Sequence, residues 1–434
     1  MVTDPGTYDV VGVGLGPANL SLAVALEEFA ARSGDDSLSS VFLERGEALS
    51  WHRGMLLPGA KMQISFLKDL VSFRNPRSRF SFLSYLHAVG RLPEFVNNKD
   101  FFPTRMEFHD YLSWASRHLT TPVRYNTSVI GLRPAGSPGP GDVIAELAVD
   151  VDSAEHGRGH LRARNVVIST GLVPRMPAGI ERDDRIWHSS EFLDRFARCD
   201  TTAVTRVAVV GAGQSAAEIV RHLHDVLPRA QITAILPSYG YTVADDTPFA
   251  NRVFDPAAVD DFYFGADAAK EAFWHYHRNT NYSVVDDELL RDLYQRMYAE
   301  SVEGRARLRV LNLARVVAVK RVADDTRISV QSLGTQEHED IDLDLLICAT
   351  GYLPMQPADV LGELDRFCCR DDRGRYRVER DYRLVTSPEL SCGIYLQGGT
   401  EHTHGLTSSL LSNLATRSGD IVESLLDRRQ AVLP

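Results

Sequence analysis

Tyr8-Asp9-Val10-Val11-Gly12-Val13-Gly14-Leu15-Gly16-Pro17 is the stretch that decides the fold. A short apolar run with the character of a buried strand enters a glycine turn, and Ala18 to Glu28 continues as a helix. In Gly12-x-Gly14-x-x-Pro17 the first two glycines allow the tight turn and the close backbone approach that a pyrophosphate needs. That anion then sits on the helix N-terminus, where free N–H groups and the helix dipole favour it. Pro17 stands where a third glycine is usual. Proline is tolerated in a first helical turn because that N–H has no intrahelical acceptor, and Gly16 supplies the flexibility one residue earlier. Ser40-Val41-Phe42-Leu43-Glu44 then reads as a second buried strand ending in an acid, placed to accept from ribose hydroxyls.

A second copy of the pattern lies far along the chain. Val207-Ala208-Val209-Val210-Gly211-Ala212-Gly213-Gln214-Ser215-Ala216 leads into a helix from Ala217 to Asp225 and a strand from Gln231 to Leu236. It falls between two buried strands ending in Thr-Gly, Asn165 to Gly171 and Leu345 to Tyr352, which are expected to cross between lobes. The expected fold is therefore α/β, with one Rossmann-like dinucleotide-binding domain inserted in another. Residues 1–203 and 331–434 form the first domain, 204–243 and 302–330 the second, and 244–301 a small, mostly helical substrate-binding region. That last segment is too long for an ordinary connection. Residues 51–120 read as an insertion on the first site, with a helix over Arg105 to His118, and Val123 to Val151 as a β-meander. The C-terminus passes from a Gly/Thr/Ser turn into a long helix.

Two such sites imply two dinucleotides. A bound flavin and a diffusible nicotinamide are the usual pair, since hydride passes between them. The N-terminal site is the natural home of FAD. The strand after the second site runs into Leu236-Pro237-Ser238 without the arginine that a 2′-phosphate favours, so this segment does not choose NADPH over NADH.

Composition excludes several other classes. With 44% hydrophobic and 24% charged residues over 434 positions, disorder and coiled coil are out. Lys and Arg number 47 against 58 Asp and Glu, a net charge of −11, and no basic run offers a stripe for nucleic acid. No apolar stretch approaches a membrane span and no signal peptide opens the chain, so a cytoplasmic protein is expected. The five cysteines contain no Cys-x-x-Cys, which removes disulfide reductases. Glu401-His402-Thr403-His404 forms too short a cluster for a metal without a distant partner, and no metal is expected. Ser408, Ser409 and Ser412 lack a Gly-x-Ser-x-Gly nucleophile elbow. Thr407 to Ser409 reads instead as a helix N-terminus, either a simple cap or a dipole facing a reduced flavin.

Several segments together resemble the flavin-dependent N-hydroxylating monooxygenases, and most closely the ornithine N-monooxygenases of hydroxamate siderophore and related biosynthesis. They are Gly12 to Leu20, Met62-Gln-Ile-Ser-Phe-Leu-Lys-Asp-Leu70, Phe102-Pro-Thr-Arg105, Gly211-Ala-Gly-Gln-Ser-Ala-Ala-Glu218, Thr247-Pro-Phe-Ala-Asn251, Thr280-Asn-Tyr-Ser283, Ala349-Thr-Gly-Tyr352 and His404-Gly-Leu-Thr-Ser-Ser-Leu-Leu-Ser412. The resemblance spans nearly the whole chain and rests on their order and spacing.

The resemblance implies FAD contacts from Gly12, Gly14, Gly16, Pro17, Glu44, Trp51, His52, Gln63, Val129, Ser409, Leu410 and Leu411. It implies nicotinamide contacts from Arg105, Gly211, Gly213, Gln214, Ser215, Asn281, Tyr282 and Ser283. Lys68 would meet the substrate carboxylate, Asn251, Phe254 and Ser412 would hold the amino acid, and Asn281 would bridge substrate and nicotinamide. The implied reaction is reduction of FAD by NADPH, addition of O2 as a flavin (4a)-hydroperoxide, and attack by the side-chain amine of L-ornithine to give a hydroxylamine. Only a neutral amine can attack, and a free alkylamine has a pKa of roughly 10.4, so activity is expected to rise with pH. Ornithine and lysine differ by one methylene, worth about 1 to 3 kcal/mol, so residue chemistry alone does not separate them. The resemblance favours ornithine and implies a homo-oligomer, a tetramer by family analogy. A Baeyer-Villiger or xenobiotic-type monooxygenase would carry Phe-x-Gly-x-x-x-His before the second site, and Ile180 to His188 lacks it. A non-catalytic nucleotide-binding protein would be expected to have lost Lys68, Asn251, Asn281 and Ser412.

Overall fold

A computed structural model describes residues 6–33, 37–137, 139, 141–322 and 325–432. Strand Tyr8–Val13 and helix Pro17–Ser33 form the first strand-turn-helix unit. Tyr8–Val13 lies between Ser40–Leu43 and Gly157–Ile168, parallel to both, with Val13 opposite Leu43 and Ile168. Residues Val10, Val11, Val41, Phe42, Val166 and Val167 are fully buried, Val10, Phe42 and Val167 against helices and Val11, Val41 and Val166 against the meander and the 355–396 segment. Gly393–Leu396 adds a further parallel strand on Gly157–Ile168. The expected meander completes this seven-stranded sheet as Thr127–Pro134, Leu147–Ser153 and Gly157–Ile168, all antiparallel.

The second sheet is five-stranded and parallel, in the order Leu308–Leu311, Gln231–Ile235, Arg206–Val210, Leu345–Cys348, Ile186–His188. Ile186–His188 and Leu345–Cys348 were assigned to the first domain by the 203/204 and 330/331 boundaries. Both pair here instead, because the chain crosses to the second sheet before Ile186 and leaves it only after Cys348. The two crossings pair with each other, Val173–Pro174 antiparallel to Tyr352–Leu353. A three-stranded antiparallel sheet, Ala314–Val322, Asp325–Ser332 and His338–Leu343, covers one side of the second sheet through Ala208, Ile235, Leu346, Val316 and Ile328.

The insertion forms its own aromatic core from Phe80, Phe82, Tyr85, Phe108 and Tyr111. Its helix Arg105–Arg117 opens on Thr104, whose hydroxyl accepts from Glu107 N at 3.1 Å. The final helix, Leu414–Val432, packs on the first, with Ile421, Val422 and Leu425 against Leu22 and Leu26. Among the described residues, no helix is long and apolar enough to cross a membrane.

Candidate functional site

The first turn has no room for side chains where the chain folds back. A Cβ on Gly12 would lie 2.1 Å from Phe42 Cδ1. Gly14 has φ +83°, and its Cβ would lie 2.4 Å from the Ser169 carbonyl. A Cβ on Gly16, by contrast, meets nothing within 4 Å, so the space before the helix at Pro17 is open. That open space at a helix N-terminus fits a pyrophosphate. The Glu44 carboxylate flanks it, accepting from Leu15 N at 2.8 Å through one oxygen and from Gly46 N at 2.8 Å through the other. Each oxygen keeps a lone pair for a ribose hydroxyl.

The second turn repeats the geometry. Gly211 has φ +143° and a Cβ there would lie 2.3 Å from the Ala349 carbonyl. Gly213 faces the backbone of Ser283, 3.8 Å from where its Cβ would sit, so the 281–283 loop closes over this turn. Ser283 itself is left-handed, at φ +60°. Helix Gln214–Val226 starts there and carries Ser215 in its first turn.

A polar chain, buried at Arg105 and Glu218 and exposed at Gln63, joins the 51–120 insertion to the second turn. Arg105 donates from Nη1 to Glu218 Oε2 at 2.8 Å and to the Met55 carbonyl at 2.8 Å, and from Nη2 to Glu218 Oε1 at 2.9 Å. Gln214 Nε2 donates to Glu218 Oε1 at 2.9 Å and to Asp286 Oδ2 at 2.7 Å, and its Oε1 accepts from Asp286 N at 2.9 Å. Gln63 Nε2 donates to the other Asp286 oxygen at 3.1 Å. Arg105, expected to contact the nicotinamide cofactor, is paired with Glu218. Its guanidinium is buried because Glu218, an acid on the apolar face of its helix, needs a counter-charge. Burial, and the nearby Glu218 charge, push the Asp286 carboxyl up, against the hydrogen bonds from Gln63 and Gln214.

Trp51 packs on Phe108 with ring centroids 5.7 Å apart and edge-on to His52 at 4.6 Å. His52 is left-handed, at φ 50°, and exposed. The protein atoms around its ring and the Arg105 charge both lower its pKa, to about 4. Val129 sits at a bulge in the Thr127–Pro134 strand, where the register shifts before Gly131.

Of the remaining expected residues, Lys68, Phe254, Tyr282 and Leu410 come together from four segments of the chain. Lys68 Nζ lies 5.5 Å from the centre of the Phe254 ring. Phe254 packs with Val253 and Leu406, and Tyr282 and Leu410 close the same cluster. Burial pulls the Lys68 ammonium below its ordinary pKa, with Asp255 opposing. Asn251 donates to the Asp246 carbonyl at 2.6 Å, and among the described residues no donor reaches its Oδ1. Asn281 follows the turn Arg278–Thr280 and is half-buried. The Tyr282 hydroxyl donates to Glu401, whose carboxyl burial pushes up.

Thr407 to Ser409 does not start a helix. Leu406–Ser409 and Leu411–Asn413 are short 3-10 turns, and the long helix begins at Leu414. The turns hold Ser412 buried, together with polar atoms that lack protein partners: both amide atoms of Asn413, and Ser409 Oγ, which has no well-formed hydrogen bond although it lies near Glu401. Buried polar atoms without protein partners fit a polar ligand bound at these turns. The two histidines of 401–404 are otherwise engaged, His402 Nε2 with the Tyr376 carbonyl at 2.8 Å and His404 Nε2 with that of Arg380 at 3.1 Å.

Glu218, Asp286 and Arg417 were given no site role from sequence, and Glu401 was weighed there only as a metal ligand. Glu218 and Arg417 each carry a readable signal, a charge on the buried face of an amphipathic helix. Asp286 and Glu401 have none, since their roles depend on partners 72 and 119 residues away.

Residues 6–354 match the family model described as L-lysine 6-monooxygenase/L-ornithine 5-monooxygenase. The chain belongs to this family. An L-ornithine N(5)-monooxygenase of Pseudomonas aeruginosa is 36% identical over 423 residues, covering 96% of this chain and 93% of that protein. The ornithine N-hydroxylase of Kutzneria sp. 744, solved with reduced FAD, NADP+ and L-ornithine, is 61% identical with a TM-score of 0.93, covering 98% of this chain and 100% of that one. An L-lysine 6-monooxygenase of Pseudomonas syringae is 32% identical with a TM-score of 0.84, covering 98% and 100%. The Kutzneria ornithine enzyme is nearly twice as similar in sequence as the lysine enzyme, and the Pseudomonas aeruginosa ornithine enzyme is slightly more similar than the lysine enzyme.

Proposed function

We propose that this monooxygenase hydroxylates the side-chain amine of L-ornithine with FAD, NADPH and O2, giving N-hydroxyornithine for a hydroxamate siderophore or related product. The observation that carries the reading is the joining of Lys68, Phe254, Tyr282 and Leu410 in one cluster, in a chain 61% identical to an ornithine N-hydroxylase. FAD, when bound and reduced by NADPH, supplies the oxygen-transferring chemistry. The N-terminal turn with Glu44 holds its dinucleotide end, Trp51, His52, Gln63, Val129 and Ser409 to Leu411 surround the rest, and the second turn with residues 281–283 takes NADPH.

The chain's own work is binding and orientation. Lys68 receives the substrate carboxylate, an ion pair that restores the positive charge burial disfavours. Phe254 covers the methylenes, and Asn251 and Ser412 offer hydrogen bonds to the polar ends. Fixing the head group at Lys68 sets how far the amine reaches, which turns chain length into position of attack. Desolvation in the Phe254, Leu406 and Leu410 cluster favours the neutral, nucleophilic amine. Residues 244–301 supply most of this wall, as a substrate-binding region between the two dinucleotide domains, and the enzyme works as a homo-oligomer, a tetramer. Ornithine-dependent hydroxylamine formation tests the activity, and light scattering of the purified holoenzyme tests the assembly.

A further inference from the structure

Arg417 is a buried cation that has no acid in ion-pair contact among the described residues, the nearby Asp420 charge acting on it only from a distance. Its side chain is in the apolar face of the final helix and the residue is only 2% exposed. Its Nε donates to Gln397 Oε1 at 3.2 Å and its Nη1 to the Ser408 carbonyl. The Tyr382 ring lies 5.8 Å from the guanidinium. Asp420, one turn away, is occupied by Arg380 at 2.9 Å, and among the described residues Arg417 forms no ion pair. A guanidinium does not lose its proton in a protein, so the charge stays. An unpaired buried charge costs several kcal/mol, and such groups are retained where a counter-charge arrives.

The bonds of Arg417 indicate where that counter-charge lies. Ser408 leads directly to Ser409, Leu410 and Leu411. Gln397 donates to Asn19 Oδ1 at 2.9 Å, and Asn19 donates to the Gly14 carbonyl at 2.7 Å in the first dinucleotide turn. Both routes end on segments assigned to FAD, beside the open polar atoms of Ser409 and Asn413. Hydride transfer from NADPH gives the flavin two electrons and one proton, so the ring system gains one negative charge while the nicotinamide becomes NADP+.

We propose that Arg417 supplies the fixed positive charge that stabilises the negative charge gained by the flavin on reduction, and so sets its reduction potential. The inference rests on the reading that the 408–411 loop carries the flavin ring. It replaces the helix N-terminus that the sequence suggested there, since the chain forms 3-10 turns at that point. Arg417 touches no substrate in this arrangement and acts through its field alone.

The test is the midpoint potential of FAD in the purified holoenzyme, measured by dye equilibration without substrate. Arg417→Met should lower the ratio of reduced to oxidised flavin at a fixed ambient potential about tenfold or more, about 30 mV for a two-electron couple. Arg417→Lys, which keeps the charge, should restore most of it. Gln397→Glu leaves Arg417 in place and sets a carboxylate against it, and should lower the ratio in the same direction. If Arg417→Met does not load FAD, Gln397→Glu decides. An unchanged ratio in every variant that holds FAD overturns the proposal. Hydroxylation of ornithine by the unmodified enzyme is scored separately, so a wrong substrate assignment leaves this comparison readable.

Discussion

Arg105 and Glu218 form a two-pronged ion pair, at 2.8 and 2.9 Å, that joins the 51–120 insertion to the helix of the second dinucleotide turn. Both side chains are nearly inaccessible, 11% and 1% exposed. Removing one partner leaves an uncompensated buried charge. Glu218→Gln should therefore cost about 3–5 kcal/mol, seen as a lower midpoint in urea unfolding. Arg105→Lys should not rescue Arg105→Met, because an ammonium cannot bond both carboxylate oxygens and the Met55 carbonyl in the same geometry. An unfolding midpoint for Glu218→Gln equal to the parent would show that the pair contributes nothing.

The glycines of the two turns separate folding from ligand binding. Gly16→Ala meets open space, so the protein should fold normally but carry less FAD, since the new methyl stands where the pyrophosphate is placed. Gly211→Ala should lower thermal stability even without cofactor, because its Cβ would sit 2.3 Å from the Ala349 carbonyl at a φ of +143°. Equal FAD content in Gly16→Ala and the parent would contradict the placement of the pyrophosphate.

Lys68→Ala should keep FAD and NADPH oxidation and lose ornithine hydroxylation. A charge-assisted hydrogen bond contributes about 1.5–3 kcal/mol, so kcat/KM for ornithine should fall roughly 10- to 150-fold. Uncoupled peroxide formation should rise as hydroxylation falls. Unchanged hydroxylation would remove Lys68 from the carboxylate site.

The pKa of His404, stacked on Tyr382 at 4.1 Å between ring centres, is lowered by burial to about 3. The folded protein keeps this ring neutral while the unfolded chain protonates it below about 6.5. The unfolded state therefore binds more protons between those values, and stability is lost as pH falls from about 6.5 towards 3. His404→Asn should flatten the pH dependence of the unfolding free energy between pH 7 and 5 relative to the parent. An identical slope in both proteins would show that His404 titrates normally.

The two dinucleotide units were legible because strand, glycine turn and helix are local patterns, and the order of Gly12 to Leu20 and Gly211 to Glu218 carries them. The exchange of Ile186–His188 and Leu345–Cys348 into the second sheet was not, since a buried parallel strand reads the same whichever sheet receives it. The helix expected at Thr407 to Ser409 failed for a local reason. Gly405, at φ +72°, and the buried hydrogen bonds of Ser408 with Thr400 hold a tight turn that delays the helix to Leu414. The pairing of Arg105 with Glu218 was not legible because the two lie 113 residues apart.

In the proposed function Lys68, Asn251 and Phe254 measure out an ornithine. The direct measurement is hydroxylamine formation by the purified enzyme with FAD and NADPH, with L-ornithine and L-lysine in separate reactions and oxygen uptake followed in both. The account predicts hydroxylamine with ornithine, in a yield that rises with pH, and little or none with lysine. Product from lysine alone, or reduced cofactor consumed to peroxide with neither amine hydroxylated, would contradict it.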